Sequence, residues 1–260
     1  MPKIIRIQIC TNATQLIWTN LAPDLAILKK EFVINIFLLI LVNALIKPIY
    51  LFGIDRNIQL IVGTEAYGNY VNILNFTFIL QFISDFGLQN YMSRFVSQDS
   101  TNAKNTYSKI LSFKLILSIV YFLLTLFLAW IWYGEEFNIR FVAHVCLNQI
   151  FVSSIFFIRA NISGLGLYKT DSFISVLDRL YLIVLGGIFI LSPALKSYVT
   201  INFFVWIQTV SLFLCFLTGL IVLMSHHFKF NIIKVSKSDL IKILTASLPF
   251  AMIYLTSAVF

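Results

Sequence analysis

The sequence predicts an all-α polytopic membrane protein, and three observations predict it. Of the 260 residues, 59% are apolar and 12% charged, with a mean hydropathy of +0.89. That leaves too little polar surface to cover a water-facing globule. Six stretches, and part of a seventh, are long and almost free of charge. At about 20 residues each, a helix rising about 1.5 Å per residue crosses a hydrocarbon layer of roughly 30 Å. Finally, the Lys and Arg residues concentrate in alternate connecting segments, as they do when positive loops are retained on the cytoplasmic side.

The first predicted span covers residues 32–52, follows Lys29-Lys30-Glu31 and contains Lys47-Pro48. The second, 67–88, closes on Ser84-Asp85-Phe86-Gly87-Leu88, where Gly87 permits a helix end or close packing. The third is 111–133, the fourth 141–160, with Arg159 next to its end, and the fifth 175–195, containing Asp178-Arg179. The sixth is 200–224. The seventh begins at Leu244 and is still apolar and uncharged at Phe260, so the sequence reads as cut inside a helix. Residues 1–28 differ from the rest: Thr11, Asn12, Thr14, Gln15 and Asn20 interrupt any signal-peptide core. They read as a poorly ordered or misassigned extension. From 228 to 242 apolar residues alternate with Lys229, Lys234, Lys237 and Lys242, the pattern of an interfacial segment on an anionic leaflet. The expected organisation is an extension at 1–28, a six-helix lobe at 29–228, and at 229–260 a basic loop with a truncated seventh helix.

Taking loops alternately, one side holds Lys3, Arg6, Lys29, Lys30, Arg94, Lys104, Lys109, Lys114, Arg159, Lys169, Arg179, Lys229, Lys234, Lys237 and Lys242. The other holds Lys47, Arg56, Arg140 and Lys196. The N-terminus is therefore expected in the cytoplasm. The same asymmetry accounts for the net charge of +8 and pI of 9.4 without a nucleic-acid partner. Cys10, Cys146 and Cys215 stand far apart with no CxxC spacing and read as packing residues. His144 has no second ligand at helical spacing, and there is no GxSxG, Walker loop or pair of intramembrane carboxylates. Neither a metal, a cofactor nor an enzyme is expected.

Chemistry is sought in polar residues placed where lipid penalises them. Lys47 before Pro48 either lines a cavity on a kinked helix or snorkels to the interface. In Asp55-Arg56 the adjacent acid and base can partly neutralise one another while Arg56 offers a planar fork suited to phosphate oxygens, or the pair can belong to a plain outer loop. Asp85 is expected to tie a helix terminus to Arg94. Arg159 leads into what reads as a cytoplasmic turn, and Asp178-Arg179 fixes packing or faces a cavity. Asn69, Asn72 and Asn75 form one stripe, with interhelical bonding preferred over a cavity face.

These features, in order, resemble the polysaccharide-exporter branch of the multidrug/oligosaccharidyl-lipid/polysaccharide flippase superfamily. The resemblance rests on Leu28-Lys29-Lys30-Glu31, Ile46-Lys47-Pro48-Ile49-Tyr50-Leu51-Phe52-Gly53-Ile54-Asp55-Arg56, Val62-Gly63-Thr64-Glu65-Ala66-Tyr67-Gly68-Asn69-Tyr70, Asp85-Phe86-Gly87-Leu88, Arg159-Ala160-Asn161-Ile162-Ser163-Gly164-Leu165 and Ser175-Val176-Leu177-Asp178-Arg179-Leu180. It implies a MATE-like flippase fold, of which this chain would supply the six-helix N-terminal lobe and the start of a seventh helix. The partner of that lobe would be a C-terminal lobe or a second copy. The implied activity is translocation of an undecaprenyl-diphosphate-linked oligosaccharide for O-antigen, capsule or exopolysaccharide synthesis. The candidate diphosphate contacts are Lys47 and Arg56, with Asp55 orienting Arg56 and Arg94, Arg159 and Arg179 nearer the cytoplasmic mouth. The alternatives are a cation or drug antiporter of the same superfamily and a non-transporting fragment of a broken flippase gene.

Overall fold

The computed structural model describes residues 37, 39–134, 138–192, 194–226, 228 and 236–259, which form helices and short connections, with no strand among them. The extension at 1–28, the start of the first span and most of the basic loop lie outside the described residues. Helix α1 runs over 39–62, with a π-helical turn at Leu51–Asp55 before Arg56–Val62. α2 is Thr64–Asp85 and α3 Leu88–Gln98; α4 is Ser100–Tyr133, α5 Ile139–Gly164, α6 Tyr168–Leu191, α7 Ile201–Ser225 and α8 Lys237–Val259. Four of these, α4 to α7, are long and apolar enough to cross a membrane, and the bent pair α2–α3 makes a fifth if taken as one span.

Most helices begin or end beyond the apolar runs predicted for them. The reason is chemical: polar residues end a span, but they do not end a helix. Asp99 accepts a hydrogen bond from the Asn102 backbone N–H, so α4 starts at Ser100 rather than 111. Asn138 and Thr200 cap α5 and α7 in the same way through Phe141 N–H and Phe203 N–H. Pro48 does not break α1. The helix passes through it and widens three residues later into the π turn, a local defect that recurs at functional sites.

Phe52, Ile79, Leu123, Trp132 and Leu191 are each more than 60% exposed. Water would penalise such a surface and lipid does not. α5 is the centre of the bundle: half of its spanning window is buried, more than in α4, α6 or α7, and it touches α2, α3, α4, α6 and α7. At one end Tyr107 of α4 lies on Phe157 of α5 with ring centroids 5.8 Å apart, and Phe228 meets Tyr107 edge-on at 5.0 Å. At the other, Ile54, Ile58, Tyr70 and Phe204 join α1, α2 and α7.

Between α2 and α3 the chain turns through Phe86 (φ 45°) and Gly87 (φ 75°), bending the pair by 40°. Gly87 is required there twice over. Besides its left-handed backbone, a Cβ at this position would lie 2.5 Å from Ala251 N and 2.7 Å from Ser247 O of α8. Both expectations for Gly87, helix end and close packing, are met. α8 is further held by Lys109 of α4, whose Nζ donates to Asp239 Oδ2 at 3.0 Å.

Candidate functional site

Two adjoining cavities open along one face of the bundle. The first, of about 540 Å³, is walled by α1, α2, α5, α6 and α7 and includes Asp55, Asn75, Gln149, Asp178, Arg179 and Gln208. The second, of about 620 Å³, lies between α1, α5 and α6 and includes Asn43, Lys47, Pro48, Arg159, Asp178 and Arg179. Phe156, Asp178 and Arg179 belong to both. Asn43 holds the two sides of the second cavity together, its Nδ2 donating to Ser175 Oγ at 3.2 Å.

Arg179 is half-buried, its side chain 38% exposed, and is less firmly paired than Lys114 or Arg159. Its guanidinium sits 5.0 Å over the Tyr50 ring. Its Nε is 3.6 Å from Asp178 Oδ2, too long for a hydrogen bond, and this buried N–H has no acceptor among the described residues. Arg159 differs: its Nε donates to Asp171 Oδ1 at 2.7 Å, which ties α5 to α6. Arg159 lies within α5, which continues to Gly164 before the chain turns at 165–166. Lys47 is exposed on α1 at the rim of the second cavity.

The other predicted residues fall elsewhere. Arg56 is exposed, and its Nη1 donates to Gln59 Oε1 at 2.8 Å. It lines neither cavity. Asp55 does not orient it: the carboxylate turns into the first cavity and accepts from Tyr67 Oη at 2.8 Å and Tyr50 Oη at 3.4 Å. Adjacent residues in a helix point about 100° apart, so neighbours in sequence are poor partners for each other. Arg94 is exposed on α3 and also lines neither cavity. Asn69, Asn72 and Asn75 are all exposed, and Asn75 lines the first cavity; the stripe faces outward rather than bonding a neighbouring helix.

The expected Asp85–Arg94 tie is replaced by a partner that the sequence concealed. Lys114, counted with the loop charges although it falls in the third predicted span, lies inside α4 with its side chain 3% exposed, and its Nζ donates to Asp85 Oδ1 at 3.1 Å and Ser153 Oγ at 2.8 Å. Asp85 Oδ2 also accepts from Gln89 N–H at 3.3 Å, capping α3 across the bend. A buried carboxylate takes the cation that can be buried with it, and Arg94 on the outer face is not that cation. The available signal was the position of Lys114 inside the apolar run Ile110-Leu111-Ser112-Phe113-Lys114-Leu115-Ile116, where a lysine must find a partner. Cys146 and Cys215 are buried and free, as packing residues are; Cys10 lies outside the described residues.

The arrangement is a cavity wall with a poorly paired guanidinium at the junction of two openings, aromatic and amide groups around it, and lipid-compatible surface outside. No curated protein and no solved structure matches the chain. A family does match, described as polysaccharide biosynthesis protein, and it covers residues 30–260. The chain is a multi-pass membrane protein belonging to the polysaccharide biosynthesis protein family.

Proposed function

We propose that the chain translocates an undecaprenyl-diphosphate-linked oligosaccharide from the inner to the outer leaflet of a bacterial inner membrane, for O-antigen, capsule or exopolysaccharide synthesis. In this reading α2–α3 is one bent span, α1 is another, and together with α4 to α7 they make a six-helix lobe of a MATE-like flippase, with α8 as the start of a seventh span. The N-terminus is cytoplasmic, and the cavity wall faces a second lobe or a second copy of the chain. The protein moves its substrate without making or breaking a bond in it.

The observation that carries the reading is Arg179, whose buried Nε has no acceptor among the described residues and which lines both cavities. A planar donor fork suits phosphate oxygens. Lys47 at the rim adds a second cation, and the polyprenyl tail stays in the bilayer. Exchange of protons or cations for a drug is less well served. Asp55 is engaged by two tyrosines, Asp85 by Lys114, and Asp178 lies beside Arg179.

The test reconstitutes the full chain in vesicles with a fluorescent undecaprenyl-diphosphate oligosaccharide and follows its exposure to a membrane-impermeant quencher. Replacing both Arg179 and Lys47 by Gln removes charge-assisted bonds and is expected to slow transfer roughly 10-fold or more. Unchanged transfer in that double variant refutes the diphosphate role. Arg56→Gln is measured alongside, and a loss there matching that at Arg179 moves the diphosphate to the far end of α1.

A further inference from the structure

The lining of the first cavity is chemically lopsided. Arg179 is its single cation among the described residues, and it stands where the two cavities meet. Away from that junction the wall offers the hydroxyls of Tyr67 and Tyr70, the amides of Asn75 and Gln208, and the carboxylate of Asp55. Tyr70 and Gln208 are bonded to each other at 2.9–3.0 Å and fix one another. Tyr67 and Tyr70 meet edge to face, centroids 5.9 Å apart; Tyr70 is buried and Tyr67 is the more exposed ring of the two.

We infer that, on the reading proposed above, this wall receives the sugars next to the diphosphate and selects uncharged ones over acidic ones. Each part of the wall has a counterpart in a neutral hexose. An amide both donates and accepts, as a sugar hydroxyl does, and a phenolic hydroxyl does the same. Aromatic faces accept the C–H face of a pyranose ring. The volume of about 540 Å³ falls in the range of roughly 300–1,000 Å³ that holds a drug-sized ligand. That is room for a short saccharide and not for a polymer. A uronate would instead bring its carboxylate into a wall whose fixed charges beyond Arg179 are those of Asp55 and Asp178. Arg179 itself would already be committed to the diphosphate, and like charges facing each other in a poorly solvated cavity reject the wrong ligand.

The experiment measures binding of two glycolipids to the full chain in detergent micelles by native mass spectrometry. One is undecaprenyl-diphosphate carrying a neutral dihexose; the other is identical except that C6 of one hexose is oxidised to a carboxylate. The neutral form is expected to bind at least about 10-fold more tightly. Asp55→Asn is expected to shrink that ratio at least about threefold, and Gln208→Glu, which keeps the acceptor for Tyr70, to widen it. Should Asp55→Asn fail to fold, the Gln208→Glu arm decides alone. Equal binding of the two glycolipids, with both weakened by Arg179→Gln, overturns the selectivity and leaves the diphosphate role standing. Binding of neither overturns both.

Discussion

Replacing Lys114 by Met removes an ammonium while keeping an unbranched chain of similar length. Its side chain is 3% exposed and that of Asp85 11%, so the variant leaves a carboxylate in the bundle with the Gln89 N–H as its remaining donor among the described residues. Ser153 loses its lysine partner as well. Breaking a buried pair from one side costs about 3–5 kcal/mol, and that is the expected loss for Lys114→Met. Asp85→Leu costs a similar amount, with about 1 kcal/mol more for the lost cap of α3. The double variant has neither an orphan charge nor a pair, so it recovers all but the cap, about 1 kcal/mol below the native chain. The assay is reversible unfolding by SDS in mixed micelles, followed by tryptophan fluorescence. Two results refute the reasoning: a loss below about 1 kcal/mol for Lys114→Met, or a double variant no more stable than either single one.

Gly87→Leu places a side chain where Ala251 N and Ser247 O would stand only 2.5 and 2.7 Å from its Cβ, so α8 is expected to leave the α2–α3 bend. Hydrogen exchange should rise around residues 243–251, and unchanged protection there contradicts the contact. At the start of α4, the N–H of Asn102 donating to Asp99 holds that exposed carboxyl below its usual value near 4. A depressed folded pKa gives stability that is present above the unfolded pKa and lost as pH falls through the folded one. The Asn102 amide should therefore exchange faster, relative to its intrinsic rate, at about pH 2–3 than at about pH 6, and Asp99→Asn should abolish that difference.

Much of the architecture is legible in one dimension. Each apolar run becomes a helix, Gly87 marks the bend, and Lys47 and Arg179 stand out as cations within apolar stretches without any knowledge of the cavities. What periodicity and loop charge do not carry are distances between helices. Asp85 and Lys114 are 29 positions apart and meet because α2 and α4 pack side by side. Asp55 and Arg56 are neighbours in sequence and part company because consecutive helical residues face different directions.

Apolar content by itself determined that the solvent of this chain is lipid and that its elements are helices, because only internally hydrogen-bonded backbone survives there. It also determined which few residues were out of place in hydrocarbon. Only the tertiary structure decided which of them are satisfied: Asp85 and Lys114 neutralise each other in the core, Arg159 is held by Asp171, and Arg179 is left with an unused donor beside a cavity. The physical reason is that a buried charge is defined by its partner, and partners come from other helices.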